Sequence, residues 1–144
     1  MQLLEGMRQE IHERAFRLAL SVATLRNNPF HARMVADLVL RQLARAAFSV
    51  ASNLEESSAA QSRPDFAAKV AISAKEGREL NFWLRLAREA HVLTEAECAR
   101  LVPEAREVSV VVSTIARRAR MGVSGQSSAA RSAVPQSGVK SNGR

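Results

Sequence analysis

Tyrosine is absent from this chain of 144 residues, and Trp83 and five phenylalanines are its only aromatics. Hydrophobic residues nevertheless make up 47% of it, with alanine supplying much of that share. Small and straight-chain residues favour helices, and the β-branched and aromatic runs that a sheet needs are mostly missing, so the composition points to an all-α fold. Only Val108 to Ile115 looks β-prone, and with no second run to pair with, it reads as a buried helix face. Cysteine is scarce too. Cys98 stands alone, which excludes an internal disulfide and a cysteine-rich metal site, and fits a reducing, cytoplasmic setting. No apolar run approaches the roughly 18 residues of a membrane-spanning helix, and MQLLEGMRQE lacks the basic-then-apolar order of a signal peptide. No membrane partner is expected. Acid is missing from one end of the chain: beyond Ala116 there is none, while Arg117, Arg118, Arg120, Arg131, Lys140 and Arg144 carry +6 of the net +7.

What the chain does have is helical periodicity. Met7, Ile11, Leu18, Val22 and Leu25 lie three, four or seven apart and predict a first helix over 7–25, closed by Asn27, Asn28 and Pro29. A second helix is expected over 31–58, with Met34, Leu38, Leu43, Ala47, Val50 and Leu54 facing inward. The third, over 64–91, opens with Ser62 as N-cap, Pro64 in the first turn and Asp65 at the positive end of the dipole. Its stripe of Phe66, Val70, Ala74, Gly77, Leu80, Leu84 and Ala87 contains a glycine that costs helix stability, so a close neighbouring helix is expected at Gly77. Thr94 and Glu97 form a capping box for a fourth helix over 94–121, in which Pro103 predicts a kink or a short first segment. Residues 122–144 are rich in Ser and Gly with no periodic apolar face, and read as a disordered basic tail. Residues 1–121 are then one domain, and short connections imply an antiparallel up-down-up-down four-helix bundle.

Little in this sequence suggests catalysis. His12, His31 and His91 fall in three separate elements without ligand-spaced partners, so no metal and no cofactor is expected. Glu76 and Glu79 are paired, but the Glu-x-x-His pattern of di-iron bundles is missing, which leaves a metal-dependent oxidase built on Glu76, Glu79 and His91 as a remote alternative. Cys98 near a helix start is expected to be packed rather than reactive. The basic end is the informative feature. Arg117, Arg118 and Arg120, with Arg131 and Lys140 beyond them, read either as a complement to the dipole at the end of helix four or as a phosphate-binding patch. Arg41 and Arg45 stand one turn apart with Asp37 one turn before Arg41, a salt-linked face that would also suit nucleic-acid binding along an oligomer channel. Phe82 and Trp83 are adjacent and cannot both enter one core, so one of them is assigned to a subunit interface or to partial exposure.

Two segments together resemble a known family. Gln42, Leu43, Arg45, Ala46, Ala47, Ser49, Val50, Ser52, Asn53, Leu54 and Glu56 are similar to the helix-two signature of the bacterial four helix bundle proteins, first noticed as reading frames in intervening sequences of 23S ribosomal RNA genes. Lys75, Glu76, Glu79, Phe82, Trp83, Leu84 and Leu86 resemble its helix-three pattern, and "AREAHVLTEAE" its turn into helix four. Ala51 and Ser57 depart from it, where many members have proline and glycine. The resemblance spans roughly residues 8 to 120. It implies a left-handed bundle assembling as a homo-oligomeric ring, typically a pentamer, without catalytic activity. A related branch, the accessory variability determinants of diversity-generating retroelements, implies a reverse transcriptase and its RNA as alternative partners. The expectation is therefore a non-enzymatic scaffold that binds nucleic acid, RNA first, through basic surfaces; a protein adaptor without nucleic-acid binding is the other alternative.

Overall fold

The computed structural model describes residues 2–25 and 29–132. Four helices account for nearly all of them: α1 (Gln2–Ala23), α2 (Pro29–Ser58), α3 (Arg63–Glu89) and α4 (Glu95–Ser132). No strand occurs among the described residues, and none of these helices is long and apolar enough to cross a membrane.

The start of α3 is built as its residues dictate. Ser62 adopts extended backbone and its Oγ accepts the Asp65 N–H at 3.2 Å, while Asp65 Oδ2 accepts the Gln61 N–H at 3.1 Å. At the other end His91 takes φ 56°, a left-handed conformation for a residue with a Cβ. The His91 N–H reaches the Arg88 carbonyl at 3.1 Å and the Val92 N–H the Ala87 carbonyl at 2.8 Å, the two bonds of a Schellman cap. Three residues later the Thr94 Oγ1 accepts the Glu97 N–H at 3.2 Å and Glu97 Oε2 accepts the Thr94 N–H at 2.8 Å, so the expected capping box opens α4.

Among the described residues α3 packs against each of the other three helices, whereas α4 touches only α3. The α3 stripe is as expected, with Val70, Ala74, Gly77, Leu84 and Ala87 buried. Ser73 is fully buried and donates its hydroxyl to the Val50 carbonyl at 2.9 Å, which ties α3 to α2. A Cβ on Gly77 would lie 3.2 Å from Ser109 Oγ and 3.5 Å from Ser109 Cα, so glycine is what lets α4 approach. Asn81 next to it donates to the Gly77 and Ala105 carbonyls at 2.8 and 3.3 Å. Cys98 is buried and packed.

Several expectations are corrected. In α1, Ile11, Leu18 and Val22 are exposed, as is Leu25 just past its end, and Phe16, Ala19, Leu20 and Ala23 form the face that meets Val39, Leu86 and Ala87. In α2, Met34 and Leu38 are exposed while Val39, Ala46 and Val50 are buried. Both helices carry more apolar residues than one face can hold, and the close approach to α3 favours the stripe with alanines in it. The Val108 to Ile115 run is helical, but only Val112 is deeply buried, with Val110 and Val111 exposed. One helix runs through Pro103; Pro103 and Ala99 are exposed, so the carbonyl that proline leaves unpartnered faces water. Finally, α4 continues to Ser132, past the end expected at Met121 and into the segment expected to be disordered. Gly122 and Gly125 lower helix propensity but do not forbid it, and no proline occurs between Pro103 and Pro135. Asn27, Asn28 and 133–144 lie outside the described residues.

Two substitutions probe this frame. His91→Gly relieves the left-handed strain and is expected to stabilise the protein by about 1 kcal/mol, while Gly77→Leu forces α4 away and costs about 1–3 kcal/mol. Urea unfolding followed by circular dichroism reads both, and a midpoint unmoved by Gly77→Leu would count against the close contact.

Candidate nucleic-acid interface

The longer α4 changes the setting of its arginines. Arg117, Arg118 and Arg120 are exposed and lie a dozen or more residues before the helix end at Ser132. The favourable effect of a helix dipole on a cation fades within the last turn, so pairing with the C-terminal dipole does not account for this cluster. Arg120 and Arg78 line a groove of 430 Å³ whose floor is Ala67, Ala68, Ala71 and Ala74 of α3 with Ser113 and Ala116 of α4. Arg131 belongs to α4 by position, and Lys140 lies outside the described residues.

On α2 the two arginines part company. Arg41 is exposed. Arg45 turns instead to α3, where its guanidinium donates to Glu76 Oε2 at 3.3 Å and to Glu79 Oε1. Glu76 is 8% exposed, so Arg45 neutralises a carboxylate inside the helix packing. The Trp83 indole N–H donates to the same Glu79 oxygen at 3.2 Å. Arg45 and then Trp83 hold the Glu79 carboxyl below the usual carboxylate range, and Glu79 in turn holds the guanidinium proton more tightly. The carboxylate pair is thus an arginine clamp, and His91 lies roughly 18 Å beyond Glu79 along the helix axis, past its capped end. Among the described residues no group of three or more His, Cys, Asp or Glu is placed to hold a metal ion.

Phe82 and Trp83 also separate as expected. Trp83 packs against the Phe16, Val39, Leu86 and Ala87 cluster, while Phe82 is 37% exposed. Phe82 makes edge-to-face contacts with Phe16 at 5.9 Å and with Trp83 at 5.0 Å. It lines a cleft of 820 Å³ between α1, α3 and α4, together with His12, Glu13, Arg85, Arg88 and Arg106. Arg85 is held there by Glu13 at 3.0 and 3.1 Å and by Glu89 at 3.1 Å, with its guanidinium 3.5 Å above the Phe16 ring. No spacing in the sequence joins Arg88 to Arg106, because the cleft is lined from three separate helices.

The family model of the 23S rRNA-intervening sequence proteins matches residues 7–114. The chain belongs to this family. No curated protein and no solved structure matches it. In this 23S rRNA-intervening sequence protein the matched region contains the clamp and the cleft but ends before Arg117. The two segments that carry the resemblance also meet in space: Arg45 lies in one, and Glu76, Glu79 and Trp83 in the other.

The clamp has a definite pH dependence. A carboxylate whose folded pKa is depressed contributes stability above its unfolded pKa and loses it as pH falls through the folded value. The stability gap between the native protein and Arg45→Met should therefore be present at pH 7 and close as pH drops below the ordinary carboxylate range. Urea midpoints across that range check it; a gap of constant size would show that the Glu79 carboxylate is not what Arg45 serves.

Proposed function

We propose that this protein is a non-enzymatic, homo-oligomeric scaffold that binds RNA through the exposed arginines of α4. The carrying observation is the position of Arg117 and Arg118: exposed, inside a helix rather than at its end, and without an ion pair to another described residue. Cations held there have no intramolecular use to satisfy, and a phosphate backbone supplies the counter-charge with release of bound counterions. Membership of a family named for 23S rRNA intervening sequences favours RNA as the source of those phosphates.

Self-association is supported by apolar surface that the chain does not cover. Ile11 and Leu18 are spaced by seven residues on the outer face of α1 with Val22 beside them, and exposed Leu25 follows just past the helix end, a short apolar seam. Between α2 and α4 an apolar groove of 620 Å³ lies open over Leu80 and Leu84 of α3. Surfaces of this kind on one molecule mark contacts with another, and the seam of one copy suits the groove of the next, a head-to-tail contact of the kind that builds a ring when its rotation closes. The contact registers, in which Arg45 meets Glu76, Val50 meets Ser73 and Lys69 meets Glu56, support an antiparallel order. A pentameric ring would repeat the α4 arginines five times around one axis. A reverse transcriptase is one protein partner such a scaffold would suit, but no surface is assigned to it.

The test is the affinity for a generic RNA at low and raised salt, for the native protein and for Arg117→Gln/Arg118→Gln/Arg120→Gln. The triple variant should bind more weakly, with a slope of log affinity against log salt shallower by about 2 per protomer engaged. Unchanged affinity and slope would remove the arginines from the reading, and no binding by the native protein would leave the protein adaptor. Light scattering on the same samples should give a mass well above 15.7 kDa.

A further inference from the structure

We propose that the cleft between α1, α3 and α4 is a stacking site for single-stranded RNA, in which Phe82 is the platform for a base and Arg88 and Arg106 anchor the flanking phosphates. The inference rests on the RNA reading above but places a second, chemically different contact away from the Arg117 to Arg120 cluster.

The cleft combines the two features that non-sequence-specific recognition of unpaired nucleotides needs, a partly exposed aromatic ring and cations with little or no acidic pairing. The Phe82 ring is fixed by edge-to-face contacts with Phe16 and Trp83, at interplanar angles of 89° and 78°, yet 37% of the residue stays exposed. A phenylalanine left at a helix surface only for want of core space would not be pinned from two sides. The cations around it differ in availability. Arg85 is committed to Glu13 and Glu89 and forms part of the wall. Arg106 makes no ion pair with another described residue, and Arg88 meets only Glu89, at 3.9 Å. Arg85, Arg88 and Arg106 against Glu13 leave the lining with a net +2 before any charge on His12.

The surroundings extend the site rather than close it. On α3 the alanine groove of Arg78 begins one helical turn before Phe82, and on α4 the same groove starts at Ser113, two turns beyond Arg106. Both openings flank the same helix pair, in which Gly77 lies against Ser109. A strand leaving Phe82 along this seam meets Arg78 next. A duplex, with its bases stacked on each other, has no face to offer Phe82, so the cleft selects unpaired RNA.

Trp83, the only tryptophan, lies 5.0 Å from the Phe82 ring and reports on it. The probe is a twelve-residue oligoadenylate, with an abasic ribose-phosphate oligomer and a duplex RNA of equal length as controls. Oligoadenylate should quench Trp83 fluorescence in the full-length protein and bind about tenfold more tightly than the abasic oligomer. Phe82→Leu should erase that preference while leaving the oligomer mass unchanged. Arg106→Gln, which touches no folding contact, should weaken binding several-fold and reduce the salt slope by about 0.7. If Phe82→Leu and Arg106→Gln both bind like the native protein while the α4 triple variant does not, the stacking site is overturned and the RNA scaffold stands. If the native protein binds none of the three probes, both fall. A fall in oligomer mass on Phe82→Leu would make Phe82 a subunit contact and also overturn the site.

Discussion

Glu76 sits at 8% exposure in the middle of α3, the helix on which the other three converge, and a carboxylate in that position cannot be left alone. Burying it without a partner would cost several kcal/mol. Arg45 reaches across from α2 to answer it, and because a guanidinium is a rigid planar fork, answering Glu76 leaves a second donor aimed at Glu79. The Glu79 oxygen that takes this donor also accepts the Trp83 indole N–H and so orients it. The clamp therefore sets the register of α2 on α3, and through Trp83 the rotation of the surface on which Phe82 is displayed. What looks in sequence like a carboxylate pair for chemistry is the device that lets a charged helix occupy the centre.

On the opposite flank of α3 the constraint is steric. Glycine at 77 and serine at 109 bring α4 close enough for Asn81 to reach the Ala105 carbonyl. With α2 and α4 both pressed onto α3, α1 meets its neighbours mainly near the α3 C-terminus, through Phe16, Leu20 and Ala23. That placement leaves an apolar groove between α2 and α4 and turns the second apolar face of α1 outward. The exposed seam and the open groove are two results of one geometry, which is why the proposed self-association uses both.

Features governed by local chemistry could be read directly. The Ser62 cap, the Thr94 and Glu97 box and the α3 stripe involve residues within a turn or two of each other, and each is present as expected. Gly77 was legible because a glycine inside a strong stripe has few reasons to be there. The α1 and α2 stripes were not, since periodicity identifies an apolar face but cannot choose between two when a helix carries both. The α4 end was missed because a Ser- and Gly-rich composition argues against helix on average and is not a stop signal. The role of Arg45 had a visible trace, for it shares one resemblance motif with no obvious surface purpose, but its partners lie 31 and 34 residues away. The cleft had no trace at all, being lined from three separate helices.

Helix length, more than charge count, shapes the candidate interface. At 100° per residue, Arg106, Arg117 and Arg120 fall within about 60° of one another on α4 and span roughly 21 Å of its axis. Had the helix ended at Met121, Arg117 to Arg120 would have been its last turn, and the dipole would have been reason enough for their charge. Carried on to Ser132, the helix leaves them as part of a stripe on a rigid rod, with spacings set by the backbone rather than by a flexible tail. A rigid row of cations favours a partner whose own charges are regularly spaced, and a polynucleotide backbone has that property where a protein surface seldom does. In the proposed reading, Phe82 beside one end of the row is what would turn a general affinity for phosphate into a preference for unpaired bases.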